Sequence, residues 1–170
     1  MAQKVLLTSF DIWQPHHISN SSDDLLVELL QKNLVPETVH LMRKLPVDFQ
    51  RAPDQVIAKI NEIQPQVIIC CGMAEKRKSL TIESNGKYQE EIIETAIPVG
   101  QLVKRLKVTK ISHNTGKFVC NYLYYSVLKY LQNHLPNSHC IFVHVPLLNE
   151  DNRVNILEDF LIILNTLQMA

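Results

Sequence analysis

Glycine is scarce in this chain: four residues in 170, against eight prolines, and no GxGxxG or GxxxxGK[ST] pattern occurs. Glycine-rich cradles for nucleotide phosphates are therefore excluded. Net charge is lacking too, since 17 Lys and Arg balance 17 Asp and Glu, with seven His beside them. Without a basic excess, neither nucleic acid nor an anionic membrane is expected as a partner; a small or neutral ligand is. Long apolar runs are missing. Nothing approaches the roughly 18 to 20 residues of a membrane span, and Met1-Ala2-Gln3-Lys4 leads straight into a short strand-like run without a signal-peptide core. A cytoplasmic protein is the expectation. The cysteines, Cys70, Cys71, Cys120 and Cys140, show no CxxC spacing and fall mostly in apolar runs, which suits reduced, buried thiols better than disulfides.

What the chain does contain is a steady alternation of short apolar runs with amphipathic segments, without repeats or long linkers. With 46% hydrophobic and 20% charged residues it is globular rather than disordered. Its length fits one domain spanning residues 1–170. Strands are predicted over Val5–Phe10, Val39–Val47 (ended by Pro46), Val67–Gly72, Ser79–Glu83, Val108–Ser112 and Ile141–Val145. Helices are predicted from Ser21 or Ser22, either of which can cap, then behind Pro53, over Val99–Leu106, Phe118–Leu131 and Asn152–Gln168. Residues Gly86–Glu94 are polar and weakly patterned. The alternation predicts a three-layer α/β/α sandwich with a mostly parallel central sheet. In such folds reactive groups collect past the carboxyl ends of the strands.

Three such ends carry reactive side chains. Cys120 falls at the start of a predicted helix, where free amides and the helix dipole favour a thiolate and can hold an oxyanion. His144 interrupts the apolar run Ile141-Phe142-Val143, and Glu83 ends Leu80-Thr81-Ile82. Taken singly, each has a commoner plain reading: a core cysteine, a hydrogen-bonded core histidine, a solvated strand-end charge. Together they match the nucleophile, base and orienting acid of acyl transfer.

The wording of these segments adds specificity. Leu45-Pro46-Val47-Asp48-Phe49, Cys70-Cys71-Gly72-Met73-Ala74 with Arg77 and Thr81-Ile82-Glu83, Asn114-Thr115-Gly116-Lys117-Phe118-Val119-Cys120-Asn121, and His144-Val145-Pro146 resemble the pyroglutamyl peptidases, cytosolic cysteine peptidases of α/β/α fold. The resemblance implies a triad of Glu83, Cys120 and His144, with His144 holding Cys120 as a thiolate. It also implies removal of an N-terminal pyroglutamyl residue from peptides, with no metal or organic cofactor. It places Phe10, Trp13, Asn20, Met73, Arg77, Phe118 and Val119 at the substrate pocket, and leaves a homo-oligomer open. This sequence departs from the family where Met73 replaces a usual Gln and where Glu75 and Lys76 replace two glycines. Only 36 residues separate Glu83 from Cys120, where the family has a longer stretch contributing to pocket and subunit contacts.

Two alternatives stay open: a Cys-His-Glu amidase acting on another small lactam or N-acyl substrate, and a non-catalytic relative binding a ligand or protein. His16-His17 lacks an acidic or thiol partner at ligand spacing, so a solvent-exposed loop is expected and no metal site. Cys70-Cys71 reads as core, Lys76 and Lys78 as a solvated turn, and Tyr122, Tyr124, Tyr125 and Tyr130 as packing or interface residues rather than a stacking platform.

Overall fold

The computed structural model describes residues 1–170. In chain order its elements are β1 (Val5–Phe10), α1 (Ser21–Gln31), β2 (Val39–Leu45), α2 (Arg51–Ile63), β3 (Val67–Met73), β4 (Thr81–Glu83), β5 (Asn85–Tyr88), β6 (Glu91–Glu94), α3 (Val99–Val103), β7 (Lys110–Ser112), α4 (Val119–His134), β8 (His139–Val145) and α5 (Arg153–Met169). Six strands form one sheet in the order β2-β1-β3-β8-β4-β7. β2, β1, β3 and β8 run parallel. β4 lies antiparallel to β8 and carries β7 parallel to itself. The sheet is thus mostly parallel, as expected, with a reversed pair at one edge.

The continuous apolar runs are explained by cover on both faces. Val5, Leu7, Ile69, Ile141 and Val143 pack with the apolar stripes of α1 and α5. Leu6, Phe10, Ile68 and Phe142 turn the other way, onto α2 and α4. Because side chains alternate along a strand, one sheet serves two cores and a three-layer sandwich results. No helix is long and apolar enough to cross a membrane.

Several local expectations are corrected. The cap of α1 is Asn20, whose backbone is extended and whose side-chain oxygen accepts from the Ser22 amide at 3.0 Å. Ser21 and Ser22 are already helical. The predicted strand from Val108 begins only at Lys110, because buried Asp159 on α5 takes the preceding amides: Lys107 at 2.8 Å, Val108 at 2.9 Å and Thr109 at 3.0 Å. A carboxylate satisfying three successive N–H groups replaces ladder bonds there. α3 stops at Val103 rather than Leu106.

The weakly patterned 86–94 segment is a hairpin of β5 and β6, closed by the two-residue turn Gln89-Glu90 with Gln89 at φ 53°. It is fastened to α4 by Asn121, which accepts from the Lys87 amide at 2.9 Å and donates to the Lys87 carbonyl at 2.7 Å, the bonds a third strand would make. Close approach demands glycine at position 86, where a Cβ would stand 2.6 Å from the Tyr125 nitrogen.

Candidate active site

The reversed β4 brings the acid to the base. Thr81 pairs with His144 across the β4–β8 ladder, and Glu83 ends β4 fully buried. His144 Nδ1 then lies 2.7 Å from Glu83 Oε1. Arg77 also donates to Glu83, to the Thr81 hydroxyl, and to the Asn114 carbonyl at 2.8 Å. Burial alone would push the Glu83 carboxyl up, but bonds from His144 and Ser112 and the charge of Arg77 hold it below the ordinary carboxylate range. For His144, burial dominates and pulls the imidazole below its ordinary value, against the opposing pull of Glu83. His144 is therefore neutral at pH 7, with Nδ1 engaged by the acid and Nε2 left for chemistry.

Cys120 is the second residue of α4, whose N-terminus carries no side-chain cap. First-turn amides therefore remain available. The sulfur rests against Gly72 on β3, where a Cβ would come within 2.7 Å of Sγ and 2.9 Å of Phe142 Cζ. Gly72 thus opens the space the thiol occupies. Although Cys120 as a residue is only half-buried, its sulfur is enclosed, and burial with nearby Cys70 and Glu83 pushes the thiol up to about 12. The helix amide and Arg77 oppose this without reversing it. Burial in the empty site thus works against the resting thiolate that the resemblance implies and against a charged imidazole.

Cys120 and His144 face one cavity of about 100 Å³, walled by Phe10, Trp13, Val47, Met73, Thr115, Phe118 and Val119. That is below the ~300–1,000 Å³ of drug-sized pockets and suits a single small ring. Of the residues the resemblance assigns to the pocket, Phe10, Trp13, Met73, Phe118 and Val119 line this cavity. Asn20 and Arg77 do not line it. Asn20 spends its side chain capping α1 and donating to the Asp11 carbonyl at 3.1 Å, and Arg77 stands behind Glu83. Met73 Sδ accepts the Ser21 amide at 3.3 Å, so even its weak acceptor is engaged.

Residues not foreseen are Val47, Gly72 and Thr115. Thr115 donates to the Asn85 carbonyl at 2.6 Å and sits 3.5 Å from Glu83 Oε2, joining the hairpin to the acid. Their only sequence signal was membership of the quoted motifs. His16 and His17 are not simply solvated either: both meet Glu75, and the His17 side chain is 3% exposed.

Comparison with known proteins gives the family and the fold. The sequence pattern of the family described as pyroglutamyl peptidase matches residues 3–91 and 92–158, with the joint falling in β6 of the hairpin. The chain is 29% identical to a pyrrolidone-carboxylate peptidase of Bacillus cytotoxicus, over 86% of this chain and 79% of that one. It is 28% identical to one of Thermoanaerobacter sp., over 85% and 83%. In fold it is similar to the crystal structure of pyroglutamyl peptidase I from Bacillus amyloliquefaciens, with a TM-score of 0.83, 22% identity, and cover of 100% of this chain and 97% of that one. The chain belongs to the pyroglutamyl peptidase family.

Proposed function

We propose that this protein is a cysteine exopeptidase that removes an N-terminal pyroglutamyl residue from peptides, with Cys120 as nucleophile, His144 as acid and base, and Glu83 orienting the imidazole. The observation that carries the reading is that Cys120 and His144 share one small apolar cavity while His144 Nδ1 is held by buried Glu83. An uncharged lactam fits such walls. With burial favouring the neutral form of both partners, the thiol proton passes to His144 Nε2 as sulfur attacks the acyl carbon. The new oxyanion meets the first-turn amides of α4, and Glu83 stabilises the imidazolium. His144 next protonates the leaving amine as the C–N bond breaks, leaving a thioester on Cys120. It then takes a proton from water, whose attack releases pyroglutamate and returns the proton to sulfur.

The test is hydrolysis of a fluorogenic pyroglutamyl amide by wild type and Cys120→Ala. Wild type is expected to turn over and the variant to sit at background; equal rates refute the proposal. A wider substrate range is favoured by a specific observation: no Asn or Gln side chain lines the cavity, and Met73 Sδ is already engaged. Apolar packing without a polar reader separates related small acyl groups by only ~10–200-fold.

A further inference from the structure

Beside Trp13, which walls the Cys120 cavity, the fold assembles two imidazoles and a carboxylate. His16 and His17 lie between β1 and α1, and Glu75 lies just past β3. β1 and β3 are neighbouring parallel strands, so the loops leaving their carboxyl ends meet. His17 Nε2 is 2.7 Å from Glu75 Oε1 and His16 Nε2 is 3.3 Å from Oε2. One donor atom from each residue lies within 4.8 Å of the other two. The acid that sequence spacing failed to supply thus arrives through the sheet.

The His17 side chain is only 3% exposed, and its Nδ1 has no hydrogen-bond partner. The ring's only engaged edge is Nε2, aimed at Glu75. The adjacent rings cross at 65° with centroids 4.4 Å apart, which brings both Nε2 atoms to one carboxylate.

We propose that His16 Nε2, His17 Nε2 and the Glu75 carboxylate bind a divalent transition-metal ion of the Zn²⁺, Ni²⁺ and Cu²⁺ class. Two imidazoles and one carboxylate suit these ions rather than Ca²⁺ or Mg²⁺, which take oxygen ligands. Tetrahedral bonds of about 2.0–2.2 Å set neighbouring ligand atoms roughly 3.3–3.6 Å apart, so the 2.7 Å His17–Glu75 contact opens as the ion enters while the wider separations, all within 4.8 Å, close onto it. His16 and Glu75 are the solvent-facing members, which leaves an entry path and room for water as a further ligand. The bound ion ties the Trp13 loop to the end of β3, and both Trp13 and Met73 line the Cys120 cavity.

Trp13 is the only tryptophan, and its ring stands edge-on to His17 with centroids 4.4 Å apart. A paramagnetic ion in this site therefore quenches the intrinsic fluorescence. The experiment titrates Ni²⁺ into full-length Cys120→Ala protein, which removes the catalytic thiol as a competing ligand. Saturable quenching by one ion per chain is expected. Adding Glu75→Gln or His16→Ala, both at solvent-facing side chains, should weaken binding at least fivefold. Ni²⁺ should also raise Tm in the Cys120→Ala parent and not in those variants. A smaller loss in either variant, an equal Tm rise, or no saturable quenching overturns the proposal.

Discussion

Replacing Glu83 by Gln keeps the shape of the orienting group and removes its charge. At 2.7 Å from His144 Nδ1, the Coulombic attraction between carboxylate and imidazolium is about 6 kcal/mol at an effective dielectric of ~20. The amide oxygen still accepts from Nδ1, so roughly 3–5 kcal/mol of transition-state stabilisation is lost, a fall in kcat of about 10²–10⁴. The acid limb of kcat/KM should also move. Burial already pulls His144 down, and Glu83 is what raises it, so the variant's imidazole titrates at lower pH. Glu83 is itself held below its ordinary value of 4.5. Its stabilisation is therefore present above that value and lost as pH falls through the lower folded value; the Gln variant lacks this acid-sensitive component. The assay is kcat/KM against pH on a pyroglutamyl amide, with urea unfolding at pH 7 and pH 4. A kcat within threefold of wild type, or an acid limb moving to higher pH, refutes the reasoning.

Three further outcomes follow from the same geometry. Gly72→Ala drives a methyl into Cys120 Sγ and the Phe142 ring; activity should fall at least a hundredfold with about 1–3 kcal/mol of destabilisation, read by kinetics and urea unfolding. Asp159→Ala removes the acceptor of three amides and the Thr109 hydroxyl, and should cost about 2–4 kcal/mol while kcat of the folded protein stays within threefold. Alkylation of Cys120 by iodoacetamide in the empty enzyme should be slow at pH 6 and rise steadily above pH 8, since the thiol is pushed up to about 12; a plateau of fast labelling from pH 6 would mean a preformed thiolate.

The sandwich was legible because its central strands are buried on both faces, and Val67-Ile68-Ile69-Cys70-Cys71-Gly72 can be little else. The places of Cys120 and His144 followed from the same pattern. The direction of β4 did not, because three residues carry no orientation of their own and the β8 ladder decides it. Asn20 as cap was hidden by two adjacent serines equally suited to the role. The hairpin was obscure because a single side chain, Asn121, replaces a strand partner. Arg77 was placed in the pocket, yet its guanidinium turns to buried Glu83, the strongest local demand for a cation. Glu75 could not be paired with His16 and His17 from spacing, since adjacency of β1 and β3 creates that contact.

The most direct test of the central claim is mass spectrometry of wild-type protein quenched in acid during turnover of a pyroglutamyl ester. One pyroglutamyl acyl group is expected on the peptide containing Cys120, and none in Cys120→Ala. Turnover with no adduct on Cys120 and undiminished activity in the alanine variant would contradict it.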